Sequence, residues 1–167
     1  MTRNNKENQR TDLLDVRVGE VLSAKGISLA VAESCTGGLI AHRVTNVPGS
    51  SRYFVLGVVA YSNEPKVRLL GVDPRLIEQH GAVSREVAIA MARGVSNVAG
   101  SDIGVGVTGI AGPEGGTPEK PVGLVFIAAV RHNREKVERH VFSGTRAAIK
   151  RQSSDTALRL ITDLAQE

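Results

Sequence analysis

Ser28-Leu29-Ala30-Val31-Ala32-Glu33-Ser34-Cys35-Thr36-Gly37-Gly38 carries a short apolar segment straight into a polar turn with a doubled glycine. Ser28 to Ala32 reads as a buried strand. Ser34 to Thr36 can cap a helix from about Gly37 to Thr45, which Pro48-Gly49 ends. A strand apolar on both faces needs helices above and below its sheet. The junction recurs twice. Val55 to Tyr61 is a second buried strand entering Ser62-Asn63-Glu64-Pro65-Lys66, and Asp102 to Val107 is a third entering Thr108-Gly109-Ile110-Ala111-Gly112-Pro113.

Helical signals fill the gaps. Leu13 to Lys25 shows a loose apolar stripe closed by Gly26, and Lys66 to Leu70 is a short turn ending at Gly71. Asp73-Pro74 starts a helix to His80, and Ser84 starts a longer one to about Ala99. Val122 to Val130 and Lys136 to Phe142 read as a hairpin, and a final helix runs from about Thr145 to Ala165. Strands alternating with helices, followed by a hairpin, predict an α/β fold, a three-layer α/β/α sandwich with a mixed sheet. Residues 11–167 are expected to form one domain. Met1 to Arg10 is polar almost throughout and is expected to be a disordered extension.

Composition narrows the class. The chain has 167 residues, 41% of them hydrophobic but only 3% aromatic, so its core is built from aliphatic side chains. The single Cys35 excludes an intrachain disulfide and a multi-cysteine zinc site, and the four His show no metal-ligand spacing. No metal or cofactor is expected, and a reducing, cytoplasmic location is. The longest apolar run, Val122 to Val130, is far short of the roughly 20 residues of a membrane span, so no membrane partner is expected. The net charge is +4 without the stacking aromatics of a nucleic-acid module. That balance suits a small anionic ligand, and no nucleic-acid partner is expected.

The glycine turns invite chemistry. Ligands of open α/β sheets bind beyond the carboxyl ends of strands, where free N–H groups at a helix start can hold an anion or an oxyanion. Ser34 would serve equally as a plain N-cap, but two glycines weaken a helix start by about 1 kcal/mol each, which argues for a close-approaching ligand. The second loop holds Gly109, Gly112, Gly115 and Gly116 with Pro113, Pro118 and Pro121, and is either functional or a mobile surface loop. Serine needs a base to become a nucleophile, and no His lies in any of the three turns. A Ser–Lys pair fills that need if burial lowers the lysine pKa, which singles out Lys66, with Tyr61 beside it at the strand end.

Ala32 to Gly38, Gly57-Val58-Val59-Ala60-Tyr61-Ser62-Asn63, Lys66, Leu69-Leu70-Gly71-Val72, Gly81-Ala82-Val83-Ser84, Val107 to Pro113 and Gly115 to Gly123 occur in this order. Together they closely resemble the CinA C-terminal domain family, whose standalone members include nicotinamide-nucleotide amidases. The resemblance covers roughly Leu13 to the C-terminus. It implies a three-layer sandwich that self-associates as a homo-oligomer. It also implies hydrolysis of the carboxamide of nicotinamide mononucleotide to nicotinate mononucleotide and ammonia. The metal-dependent ADP-ribose pyrophosphatase domain that precedes it in full-length members is not expected here, and its activity is not carried over.

Ser34 falls on the family's proposed nucleophile, Tyr61 and Lys66 on its activating groups, and Thr108 with the following turn on the second wall of the pocket. Glu33, Thr36, Gly37, Gly38, Thr108, Gly109, Gly112, Lys120 and Arg146 are the expected substrate-binding set. Backbone N–H groups at Thr36 to Gly38 or at Gly109 to Gly112 would hold the oxyanion, and the other set, with Lys120 or Arg146, would take the 5′-phosphate. Two other readings stand beside the enzyme: a non-catalytic nucleotide-binding or regulatory module, and a competence-associated accessory protein.

Overall fold

The computed structural model describes residues 3–167, with side chains from Leu14 onward. Its elements are α1 (Arg3–Lys25), β1 (Leu29–Glu33), α2 (Leu39–Thr45), a 3₁₀ turn (Ser50–Arg52), β2 (Phe54–Val59), α3 (Asn63–Leu70), α4 (Pro74–His80), α5 (Arg85–Ala99), β3 (Ile103–Gly109), β4 (Leu124–Arg131), β5 (Arg134–Val141) and α6 (Arg146–Gln166). The strands form one sheet in the order β2-β1-β3-β4-β5. β1 runs parallel to β2 and β3, and the β3–β4 and β4–β5 pairs are antiparallel. This is the mixed-sheet α/β/α sandwich that the alternating pattern predicts.

Side-chain alternation sorts the layers. Leu29 and Val31 of β1 join a core with Val18 and Leu22 of α1, Ile40 and Val44 of α2, and Ile149, Leu158 and Ile161 of α6. Ala30 and Ala32 point the other way, to Leu70, Val87, Met91 and Val95. α5 lies against the backbone of β3. A Cβ at Gly104 would stand 2.1 Å from the Ala92 carbonyl oxygen, and one at Gly106 2.2 Å from that of Ala88. Only glycine admits that approach.

The parallel register assembles the site. Glu33 is level with Val59 of β2 and with Val107 of β3. Just past the strands the Ser34 N–H donates to the Val107 carbonyl (2.9 Å), and the Ala60 N–H to that of Glu33 (2.9 Å). All three turns therefore leave the sheet side by side at its carboxyl end. The buried Arg43 of α2 locks the helices around them, pairing with Asp15 of α1 and Asp155 of α6, each at 2.7 Å.

Four elements differ from expectation. β2 is an edge strand and not a buried one, with Val55 and Val59 about half exposed, because an apolar run alone does not distinguish an edge strand from a central one. α3 begins at Asn63, ahead of Pro65, since a first-turn residue has no intrahelical N–H bond to lose. α2 begins at Leu39, with Gly38 (φ 91°) as its N-cap. The backbone of residues 3–10 is helical where disorder was expected. No proline interrupts Arg3 to Lys25 and its one glycine, Gly19, lies well past residue 10, so α1 continues through it. Met1 and Thr2 lie outside the described residues. Among those described, no helix is long and apolar enough to cross a membrane.

Candidate active site

Glu33 closes β1 and is only 1% exposed. Its carboxylate turns forward to accept from the backbone N–H groups of Gly38 (3.0 Å), Ile40 (3.1 Å) and Ala41 (2.8 Å). Glu33 therefore caps α2 across the turn, a task expected of Ser34 to Thr36, and no side chain caps α2 from its N-cap position. The Gly37 N–H donates to the Ser34 carbonyl (3.1 Å). Of the donors expected to face a ligand, Gly37 and Gly38 are thus engaged, while the Thr36 N–H has no acceptor among the described residues.

This cap leaves Ser34 unencumbered. Ser34 is 8% exposed, and its hydroxyl makes no hydrogen bond among the described residues. Lys66, in the first turns of α3, comes within electrostatic reach of Cys35 in the same turn. It is 2% exposed, and its ammonium donates to the Ser62 carbonyl (3.1 Å). Burial pushes its pKa below the ordinary lysine value, offset in part by neighbouring Cys35. A lysine so placed gives up its proton more readily than one in solvent, as a proton acceptor must. Ser34 and Lys66 are not hydrogen-bonded to each other.

Cys35 is buried, and its thiol is pushed up to about 12, chiefly by burial. Glu33 adds to the rise, while an N–H bond, Arg146 and Lys150 oppose it. It stays a neutral thiol in the core and is a poor nucleophile.

Tyr61 lies beyond the end of β2 and is 58% exposed. Its hydroxyl accepts from Arg146 Nη2 at 2.5 Å, while Arg146 Nη1 donates to the Gly112 carbonyl at 2.7 Å. Arg146 thus joins the turn that follows β2 to the loop that follows β3, and Tyr61 bonds to neither Ser34 nor Lys66. The buried Thr108 hydroxyl donates to the Ala82 carbonyl (2.7 Å). Lys120 donates to the carbonyls of His80 (2.6 Å) and Val83 (2.8 Å). These two bonds explain the Gly81 to Ser84 motif: it anchors the glycine loop. Gly109 closes β3, where a Cβ would stand 2.7 Å from the Leu124 carbonyl oxygen, so its absence of a side chain serves the β3–β4 crossing.

One residue here escapes the sequence reading. Lys150 lies one helical turn after Arg146 on α6 and places its ammonium 3.3 Å from where a Cβ of Gly37 would be. Arg146 and Lys150 recur four apart on one helix face, the signal that could have paired them. None of Lys66, Arg146 and Lys150 has a carboxylate partner among the described residues. Among those residues no group of His, Cys, Asp or Glu could hold a metal ion. A separate cleft of about 300 Å³ opens at the other end of β3, beside Arg93, Ser96, Asp102 and His132. There Arg93 is paired with Glu135 and Asp102 with Ser28, and no lysine joins a nucleophile.

The CinA C-terminal domain model matches residues 11–165. The chain belongs to the CinA C-terminal domain family. It is 57% identical over 150 residues to a putative competence-damage inducible protein of Moorella thermoacetica, covering 90% of this chain and 36% of that protein. A CinA-like protein of Geobacter sulfurreducens is 52% identical over 145 residues, covering 87% and 35%. The chain thus spans about a third of the length of these relatives. Among solved structures, the competence/damage inducible protein of Agrobacterium tumefaciens superposes with a TM-score of 0.91 at 36% identity, covering 94% of this chain and 96% of that one. A CinA superfamily protein of Klebsiella pneumoniae gives 0.89 at 33%, covering 93% and 98%. The CinA-family sandwich is therefore the fold of this chain.

Proposed function

We propose that this CinA-family chain is a nicotinamide-nucleotide amidohydrolase. The observation that carries the reading is a buried Lys66, its ammonium pushed below its ordinary value and within electrostatic reach of Cys35 beside Ser34, among cations that lack carboxylate partners. In this mechanism neutral Lys66 takes the Ser34 proton as Oγ attacks the carboxamide carbon. The same proton goes to the departing nitrogen, and ammonia leaves. Water then attacks the acyl-serine, Lys66 takes its proton and returns it to the departing Ser34 Oγ, and the acid product leaves as its carboxylate. The free Thr36 N–H is a candidate oxyanion donor. Tyr61, engaged with Arg146, forms the outer wall rather than a relay between Ser34 and Lys66.

Purified protein in excess chelator is expected to release ammonia from nicotinamide mononucleotide. Full loss to chelator with recovery on a divalent ion would overturn this mechanism. The second reading is a non-catalytic nucleotide-binding module, favoured by the missing Ser34–Lys66 hydrogen bond. Binding of the nucleotide without ammonia release would select it.

A cytoplasmic, homo-oligomeric protein belongs to the same proposal. β5 alternates charges along its length, the usual protection of an open edge, whereas Phe54-Val55-Leu56-Gly57-Val58-Val59 of β2 has none. Two copies pairing β2 antiparallel would cover both edges. Light scattering is expected to give a multiple of the protomer mass. A protomer mass at tens of micromolar would overturn the assembly.

A further inference from the structure

We propose that the cleft at the amino end of β3 is a second binding site, for a small zwitterion whose ammonium is held by Asp102 and Ser96 and whose carboxylate is held by Arg93 and His132. It stands apart from the reacting turn by the length of β3, roughly 20 Å at about 3.3 Å per residue, and it does not depend on the amidase reading.

The cleft encloses about 300 Å³, the lower end of the roughly 300–1,000 Å³ that small-molecule sites span. Arg93, Ser96, Asn97 and Gly100 line it from α5, at the i, i+3, i+4 and i+7 spacing of one helix face. Asp102 lines it from the start of β3, and His132 from the β4–β5 turn.

One part of the cleft calls for a cation. The Asp102 carboxylate spends Oδ2 on the Ser28 hydroxyl (2.6 Å) and the Ser28 N–H (2.8 Å), and its Oδ1 has no hydrogen bond among the described residues. Those two bonds, helped by the nearby His132 and Arg131, hold its pKa below the ordinary carboxylate value, so it is charged at neutral pH. The Ser96 hydroxyl gives its proton to the Ser101 carbonyl (2.7 Å) and can only accept from a ligand. α5 also ends here. The Gly100 and Ser101 N–H groups both go to the Ser96 carbonyl, which leaves the last carbonyls of the helix without backbone donors and its end partly negative.

The other part calls for an anion. Glu135 is shared by Arg85 (3.6 Å) and Arg93 (3.0 Å), so one carboxylate faces two guanidiniums and a positive charge is left over. The His132 imidazole makes no hydrogen bond among the described residues. Its backbone is the second sign of a built site. Arg131 pairs with Arg134, so His132 and Asn133 form a two-residue turn, and His132 sits at φ 52°, the only positive φ outside glycine among the described residues. Turns of this kind take Gly, Asn or Asp there. A strained histidine facing a ligand-sized cleft is better explained by its side chain than by its turn. A lone cation would meet Arg93 and His132, and a lone anion would meet Asp102, whereas a molecule with both charges satisfies both walls.

The test titrates two zwitterions into the full chain and follows binding by NMR: free glycine, whose charges are close together, and 4-aminobutyrate, whose charges are well separated. Butylamine and butyrate are the single-charge controls. At least one zwitterion is expected to bind with shifts at the His132 ring, and each control about tenfold or more weakly. Asp102→Asn keeps an oxygen for Ser28 but turns an N–H₂ group to the ligand. It and Arg93→Gln, on the half-exposed face of α5, should each weaken binding about tenfold or more. His132→Gly should weaken binding while the melting temperature holds or rises, because glycine adopts that φ freely. Lys66→Met should bind as wild type does. Binding of neither zwitterion, or of a control as tightly as the zwitterion, would overturn the proposal. So would affinity that survives both Asp102→Asn and Arg93→Gln. Binding lost in Lys66→Met would place the probe at the reacting turn and overturn it equally.

Discussion

Ser34→Ala is expected to lower the turnover of nicotinamide mononucleotide by a factor on the order of 10³ or more, with the melting temperature little changed. Ser34 is almost wholly buried, but its hydroxyl makes no hydrogen bond, so removing one oxygen leaves no partner stranded. Lys66→Met should cost about as much in rate. Its methionine stem fills the same space, and the loss of a buried ammonium that burial already disfavours should not lower stability. Because both groups act in one proton transfer, the double variant should be scarcely slower than either single one. The base works only when neutral, so kcat/KM should rise with pH as Lys66 loses its proton. That rise belongs below the ordinary lysine value of 10.5 and should vanish in Lys66→Met. Cys35→Ser should keep most activity. Steady-state ammonia release measures all four proteins. Losses in the double variant that multiply, or a pH limb that survives Lys66→Met, would falsify the pair.

Which parts of this site were legible in the sequence follows from what each residue depends on. Ser34, Lys66 and Tyr61 each follow an apolar strand, and the parallel register of β1 with β2 and β3 brings strand ends together whatever the side chains. Their convergence was therefore readable from pattern. The task of Glu33 was not. A carboxylate at a strand end has the same local sequence whether it faces a ligand or reaches across a turn to cap the next helix. Only the path of Ser34 to Gly38 decides between them. Lys150 was hidden for another reason. Arg146, Lys150, Arg151 and Arg159 all lie on α6, and nothing local separates the one that docking aims at Gly37 from the others. β2 was misplaced because its apolar composition suits a buried strand, and its neighbours are set by topology, not by its own residues.

Glu33→Ala should do the opposite of Ser34→Ala and strike the fold before the chemistry. The carboxylate is buried and holds three backbone N–H groups at 2.8 to 3.1 Å. Hydrogen bonds to a charged group contribute about 1.5–3 kcal/mol each, and buried donors left without an acceptor cost further. These bonds share one acceptor group, so they do not add in full, and water can reach part of the space that alanine leaves. An expected loss of about 3–5 kcal/mol is of the size seen when a buried charged partner is removed. In a domain of this size 1 kcal/mol shifts the melting temperature by about 2–4 °C, so the transition should fall by roughly 6–20 °C. Glu33→Gln keeps one acceptor oxygen but turns an N–H₂ group toward backbone donors, and should fall between alanine and wild type. Thermal unfolding followed by circular dichroism reads both variants. The glutamine variant also separates a cap from a ligand contact. If Glu33 only holds α2, the loss of activity in Glu33→Gln should track its loss of stability and shrink on cooling. A Glu33→Gln protein that melts like wild type yet turns over a thousandfold more slowly would place this carboxylate in the chemistry. The cap of α2 would then be its secondary task.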